Sequence, residues 1–178
     1  METLERRQVY RGRVVELTVD RVRLQSGNVC ELELVHHPGA AAVVPLDAEG
    51  RVVLVRQYRH ATGGFLLEVP AGTLDPGESP ESCALREVEE EAGQRAGRLE
   101  PLGWIWTTPG FTNERIWLYL ATDLTPARQA LEPDELLSVE RLPLDRAVEL
   151  ALGGGIEDAK SICALSRAAA KQGASRSS

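Results

Sequence analysis

The sequence predicts an α/β/α sandwich, an α/β fold built on a mixed β-sheet, with an antiparallel strand region at its N-terminal end. Three observations predict it. The first half alternates short apolar runs with tight turns, and the hydrophobic period lengthens abruptly at Ser79. Two helical patterns close the chain on either side of Gly153-Gly154-Gly155.

Taken in order, "RVRLQSGNVCELELV" alternates Val22 and Leu24, then Cys30, Leu32 and Leu34, around Ser26-Gly27-Asn28. That pattern predicts a hairpin with one buried face. "AAAVVPL" and "RVVLVRQYR" are continuous apolar runs joined by Asp47-Ala48-Glu49-Gly50, which predicts a second hairpin with strands buried on both faces. "FLLEVPAG" adds a short strand ending at Pro70. Ser79 is then the N-cap of a helix, with Pro80 at its first position, Glu81 at its positive end and Gly93 as its stop. Strands return in "GWIWTT" and "RIWLYLATDL", where Ile116, Leu118 and Leu120 alternate with Trp117 and Tyr119. Two helices follow between Leu142 and about Ala170.

The 178 residues suffice for one domain with a sizeable core. The expected organisation is a strand region over 1–40, a main domain over 41–171 and a disordered polar tail over 172–178. A formal net charge of −7 argues against general binding to nucleic acid or to an anionic membrane. No run of about 18 apolar residues occurs, and "METLERRQVYRGR" has no apolar core of the signal-peptide type. Cys30, Cys83 and Cys163 stand far apart, so neither a disulfide framework nor a metal-binding Cys pair is expected, and the reading is a reduced cytoplasmic protein. His36, His37 and His60 show no ligand spacing and read as structural. Trp104, Trp106 and Trp117 lie in strand-like runs and read as core or interface packing; no tryptophan occurs before residue 100, and Tyr10 is the one Phe, Tyr or Trp in residues 1–40.

The stretch "REVEEEAG" carries the chemistry. On an ideal helix of about 100° per residue, with Ala84 at zero, Val88, Ala92 and Leu85 fall between about 40° and 100° and make an apolar stripe. Glu90, Glu87 and Glu91 converge between about 240° and 340°, whereas Glu89 falls near about 140°, away from them. A charge run is ordinarily a solvated face, but such faces intersperse Lys or Arg four residues on, and four residues after Glu87 comes Glu91. Three oxygen donors on one ridge suit a hard cation such as Mg²⁺ or Mn²⁺ and not zinc. The preceding loop, "VPAGTLDPGES", supplies Gly72 and Gly77, which allow close backbone approach, so that a main-chain carbonyl near Ala71 could join the set.

With those residues in place the pattern resembles a known family. Gly72, five residues, Glu78, seven residues, then Arg86-Glu87-Val88-x-Glu90-Glu91-x-Gly93 resembles the Nudix box, G-x5-E-x7-R-E-U-x-E-E-x-G-U, at eight of nine defined positions. The departure is Gln94, at a packing position. "VRQYRHATGGFLLEVPAGTLDPGE", "TPGFTNE", "LEPDELLSVERLPLDRA" and "IEDAKS" look like the ADP-ribose pyrophosphatase branch, including a proline, Pro109, 15 residues after Gln94.

The resemblance implies Mg²⁺-dependent hydrolysis (Mn²⁺ substituting) of ADP-ribose to AMP and ribose 5-phosphate, or of another nucleoside diphosphate sugar such as GDP-mannose. Glu87 and Glu91, with the Ala71 carbonyl, would hold the metal, and Glu90 would ligate a further ion or its water. Arg86 and Glu78 would form a salt bridge shaping the loop. A water-orienting carboxylate would come from Glu132, Asp134 or Glu135, with Glu135 favoured because the family pattern places a glutamate directly before the following strand. Arg56 and Arg59 are candidate phosphate forks, at most one of them reaching substrate. Glu68 would accept a ribose hydroxyl or pair with an arginine, and the loop with Phe111 and Glu114 would shape the terminal-ribose pocket. The branch also implies a homodimer with exchanged N-terminal strands. The competing class is a non-catalytic nucleotide sensor, which loss of a ligating glutamate or an attached DNA-binding domain would mark. Neither is seen.

Overall fold

The computed structural model describes residues 1–131 and 136–176. The chain folds as two compact units, one comprising Met1–Gly39 with Trp106–Arg115, the other Ala40–Ile105 with Ile116–Ser178.

The first unit carries a three-stranded antiparallel sheet of β1 (Glu2–Arg11), β2 (Glu16–Arg23) and β3 (Val29–His36). The hairpin expected around Gly27 is present, with Arg23 opposite Val29 and Gly27 at a φ of 87°. Its buried face differs from expectation. Leu32 is exposed, and the residues β2 buries are Thr18, Asp20 and Val22. Alternation predicts the face, but paired polar side chains, Thr18 and Asp20, take part of it in place of apolar ones. Arg6 forks onto Asp20 (Nε–Oδ1 2.9 Å, Nη2–Oδ2 2.6 Å), and Thr18 Oγ1 donates to Asp20 Oδ1 at 3.0 Å. Those Arg6 and Thr18 bonds, the arginine's first, hold the Asp20 carboxyl below the usual carboxylate range against the opposing effect of burial.

The second unit holds two sheets. One is mixed and runs in the order β7 (Ala71–Thr73), β4 (Ala40–Pro45), β9 (Arg115–Pro126), β8 (Gln94–Trp106), with β4 antiparallel to β7 and parallel to β9. The other runs β10 (Leu137–Pro143), β5 (Arg51–Arg59), β6 (Gly64–Glu68), all antiparallel. Strand β4 shows the layering. Ala40, Ala42 and Val44 join a core with α2 (Leu144–Leu152) and α3 (Ala159–Arg176), while Ala41 and Val43 join a core with α1 (Pro80–Glu90). Helices on both faces of a mixed sheet are the predicted α/β/α arrangement. Among the described residues no helix is long and apolar enough to cross a membrane.

Three expectations need correction. Strands β4 and β5 are each buried on both faces, but they do not form a hairpin. The Asp47–Gly50 turn closes locally (Gly50 N to Asp47 O 3.0 Å, Asp47 N to Arg51 O 2.9 Å), yet beyond one bridge at Leu46–Val52 the strands enter different sheets. Both edges of β4 are taken by β7 and β9, and both edges of β5 by β10 and β6. Second, Trp104 and Trp106 are exposed on the single chain, so they are not core residues and only the interface half of their reading stands open; Trp106 is covered by the Arg115 guanidinium at 4.7 Å from its ring centroid. Third, α3 continues to Arg176 through residues expected to be a disordered tail. Buried Ala164, Leu165 and Ala168 anchor its preceding turns, and Lys171 pairs with Glu100 at 3.0 Å.

Candidate active site

Helix α1 starts and stops as the sequence requires. Ser79 accepts the Ser82 amide at 3.1 Å, Pro80 occupies the first turn, and Gly93 turns away at a φ of 61°. Its buried face is rotated from the expected stripe. Leu85 is 41% exposed, and Cys83 takes its place beside Ala84, Val88 and Ala92. The rotation puts Glu87 and Glu91 inside the buried arc, at 5% and 2% exposure. Glu89 points elsewhere and pairs with Arg95 at 2.8 Å, as the wheel separates it.

The loop between β6 and α1 closes over these two acids. The Ala71 amide donates to Glu91 Oε2 at 2.9 Å, so Ala71 meets the site through its N–H; the carbonyl role expected of it is a separate matter. Gly72 lies against Glu87 so closely that a Cβ there would stand 1.7 Å from Oε1. The glycine is thus required for contact: any side chain there would displace the Glu87 carboxylate. Burial pushes the Cys83 thiol up to about 12, which leaves it an inert packing group.

Arg86 organises the acids that remain partly open. Its Nε and Nη2 fork onto Glu78 at 3.0 Å each, and Nη2 also reaches the Thr73 carbonyl at 3.2 Å. Nη1 lies 2.5 Å from Glu87 Oε1 and 3.0 Å from Glu90 Oε2. The fork from Arg86 is the main reason the Glu78 carboxyl sits below its ordinary range. The expected salt bridge is therefore present, and the same guanidinium bridges two of the candidate metal ligands.

The donor set fits a hard divalent cation. Every candidate is a carboxylate or main-chain oxygen. One arginine serves Glu78, Glu87 and Glu90 together, and a cationic nitrogen already stands between Glu87 and Glu90. Among the described residues no three acidic, His or Cys groups converge at metal-binding distance; Glu87 and Glu90 instead meet Arg86, and Glu91 meets the Ala71 amide.

Beside this pocket lies a polar network. Arg59 forks onto Glu68 (Nε–Oε1 2.9 Å, Nη2–Oε2 2.8 Å), leaving Nη1 as the nitrogen Glu68 does not take. Glu68 is 1% exposed and also pairs with Lys160, which lies 3.0 Å from Asp158. Burial alone would raise the Glu68 carboxyl, but Arg59 and Lys160 outweigh it and hold it low. Arg59 is raised, first by its bond to Glu68 and further by the fields of Glu91 and Asp158. Arg56 instead pairs with Glu140 at 2.5 Å on the neighbouring strand, so the two arginines diverge. Lys160, Asp158 and Ser161 were not legible as site neighbours. They stand about 90 residues from Glu68 in sequence, and only their occurrence in "IEDAKS" marked them.

Phe111 and Glu114 belong to the first unit. There they line a cavity of about 330 Å³ with Val14, Val15, Val35 and His37. The Gly39 amide donates to His37 Nδ1 at 3.1 Å, so the 3.6 Å approach of that nitrogen to Glu114 Oε1 is not a hydrogen bond. Glu114 accepts from Thr107 Oγ1 at 2.8 Å. Tyr10, in the same unit, is exposed. Glu132, Asp134 and Glu135 lie outside the described residues.

A sequence profile described as the NUDIX domain matches residues 35–165. The chain belongs to the Nudix family. It is 36% identical to the ADP-ribose pyrophosphatase of Bacillus subtilis over 166 residues, which cover 92% of this chain and 90% of that protein. It is 40% identical, with the same coverage, to the methanol dehydrogenase activator of Bacillus methanolicus. The crystal structure of an ADP compounds hydrolase matches with a TM-score of 0.86 at 24% identity, over 97% of this chain and 94% of that one, and shares the Nudix fold. The protein is a Nudix hydrolase, and α1 with its preceding loop carries the family's motif.

Proposed function

We propose that this Nudix hydrolase cleaves the pyrophosphate bond of ADP-ribose, giving AMP and ribose 5-phosphate, or of a closely related nucleoside diphosphate sugar, with Mg²⁺ as cofactor. The observation that carries this reading is the pair of buried carboxylates, Glu87 and Glu91, on a helix whose preceding glycine loop is shaped to touch them. Burying two acids on one helix face is costly, and a site for a divalent cation accounts for it. Glu87, Glu91 and the Ala71 carbonyl would hold that cation, with Glu90 at the open edge. What a hard cation supplies at such a site is charge for the pyrophosphate oxygens and a more acidic water.

The protein's own groups do the rest. Arg59, fixed through two nitrogens, offers Nη1 to a phosphate oxygen. Arg56, engaged by Glu140, is a surface arginine in this reading. Glu68 acts through Arg59 and not on a ribose hydroxyl, since its oxygens are taken by Arg59 and Lys160. Glu135, or Glu132, orients the attacking water. Phe111 and Glu114 shape a sugar pocket through the cavity they line.

A Mg²⁺-dependent hydrolysis panel of ADP-ribose, GDP-mannose, NADH, diadenosine polyphosphates and coenzyme A tests the reading. ADP-ribose is expected to give the highest kcat/KM. A preference for GDP-mannose would move the assignment to that substrate, and no turnover of any nucleoside diphosphate sugar would reject it.

The protein is also proposed to be a homodimer. Strand β1 is a sheet edge, exposed along its whole length, with Leu4, Val9 and Tyr10 at the surface. Exposed apolar edges invite a second chain. Sedimentation velocity at micromolar concentration should give a dimer, and a monomer alone would refute it.

A further inference from the structure

The first turn of α3 does something its own helix does not need. Asp158 already caps it, accepting the Ser161 amide at 2.9 Å and the Ser161 hydroxyl at 2.5 Å. A lysine in that turn works against the helix dipole, which favours acids there. Yet Lys160 is nearly buried, its side chain 12% exposed, and its ammonium lies between Glu68 and Asp158. From the same turn, Ser161 Oγ accepts the Val69 amide at 2.8 Å and is itself fully buried. Two residues after Val69, the Ala71 amide holds Glu91.

We propose that Lys160 is a positioning residue for the hydrolytic site, acting through Glu68 on the aim of Arg59 and through Asp158 and Ser161 on the main chain at Val69–Ala71. The two arms start from one ammonium. Through Glu68, Lys160 holds Oε2, the same oxygen that Arg59 Nη2 takes, so the arginine fork has a fixed base and Nη1 a fixed direction. Through Asp158, it holds the acceptor that orients the Ser161 hydroxyl, and so the loop that carries Ala71 against the buried acid. With the ammonium gone, Glu68 can follow Arg59, and Asp158 keeps only its capping bonds. Both effects reach substrate and metal without Lys160 touching either. This inference rests on the reading of Arg59 as a phosphate ligand and of Glu91 as a metal ligand.

The test compares Lys160→Met, Lys160→Arg and wild type by steady-state hydrolysis of ADP-ribose, by Mn²⁺ titration followed by electron paramagnetic resonance in the absence of substrate, and by thermal melting. Lys160→Met should lose roughly 10- to 100-fold in kcat/KM and bind Mn²⁺ more weakly. Lys160→Arg, which keeps the cation, should recover most of both. A lowered Tm with wild-type kinetics and wild-type Mn²⁺ affinity would mean a purely structural ion pair and would overturn the proposal. If Lys160→Met does not fold, Ser161→Ala carries the test on the second arm, with weaker Mn²⁺ binding expected and unchanged binding contradicting it. A wild-type protein inactive on every nucleotide sugar would reject the functional reading while leaving the Mn²⁺ comparison to decide this one.

Discussion

Glu91→Gln is expected to lose turnover by roughly 100-fold or more while keeping the fold. The substitution changes charge and almost nothing else. Glu91 is 2% exposed just beyond the last residue of α1, and its Oε2 accepts the Ala71 amide at 2.9 Å. A glutamine carbonyl can accept the same bond from nearly the same place, so the loop stays anchored. What disappears is the negative charge, and with it the attraction for a hard cation. A buried carboxylate also carries a desolvation cost that an amide does not, so Tm should hold or rise. Circular dichroism, a melting curve and saturating-Mg²⁺ kinetics check this together. Wild-type kcat in a well-folded Glu91→Gln would show that the acid is not part of the metal set.

Gly72→Ala should also damage activity, and unlike Glu91→Gln it should carry a modest cost in stability. The added Cβ would stand 1.7 Å from Glu87 Oε1 and 2.3 Å from its Cδ, both impossible separations. The obstructing atoms are the end of a flexible side chain, so the carboxylate swings away before the backbone moves. Glu87 then leaves Arg86 Nη1, its partner at 2.5 Å, and the oxygen is lost from the position where a cation would be shared with Glu90. The expected outcome is a loss of at least about 10-fold in kcat with weaker Mg²⁺ dependence, against a destabilisation within about 1–3 kcal/mol. Urea unfolding and a Mg²⁺ titration of the rate separate the two. An active Gly72→Ala with an unchanged Mg²⁺ requirement would remove Glu87 from the site.

Much of this site was legible in the sequence because its chemistry is local. The caps of α1, the glycine loop and the acid spacing lie within Gly72–Gly93, and short-range geometry fixes them. The helix wheel separated Glu89 from its neighbours correctly, but it placed the buried stripe too far round. Leu85 is more apolar than Cys83, yet the space beneath α1 is set by Ala41, Val43 and Tyr119 of the sheet, and it selects the other edge. The turn at Asp47–Gly50 was readable, but its consequence was not. Turn residues report that a chain reverses, not which strand it pairs with afterwards. The Glu68–Lys160 pair was hidden for a similar reason, since its partners meet only once α3 is docked against the end of β6.

Residues 51–73 cross from one sheet of the second unit to the other, and β4 has already crossed in the opposite sense at Asp47–Gly50. Arg59 is carried by the sheet of β5, whereas Ala71 and Gly72 are carried by the sheet of β4. In the proposed reading, the groups that would grip the anion and those that would grip the cation are therefore mounted on separate plates, and shear between those plates would change the gap that a pyrophosphate has to span. The Val69–Ser161 bond and the Glu68 ion pairs tie the segment between those plates to Arg59 on one side and to α3 on the other.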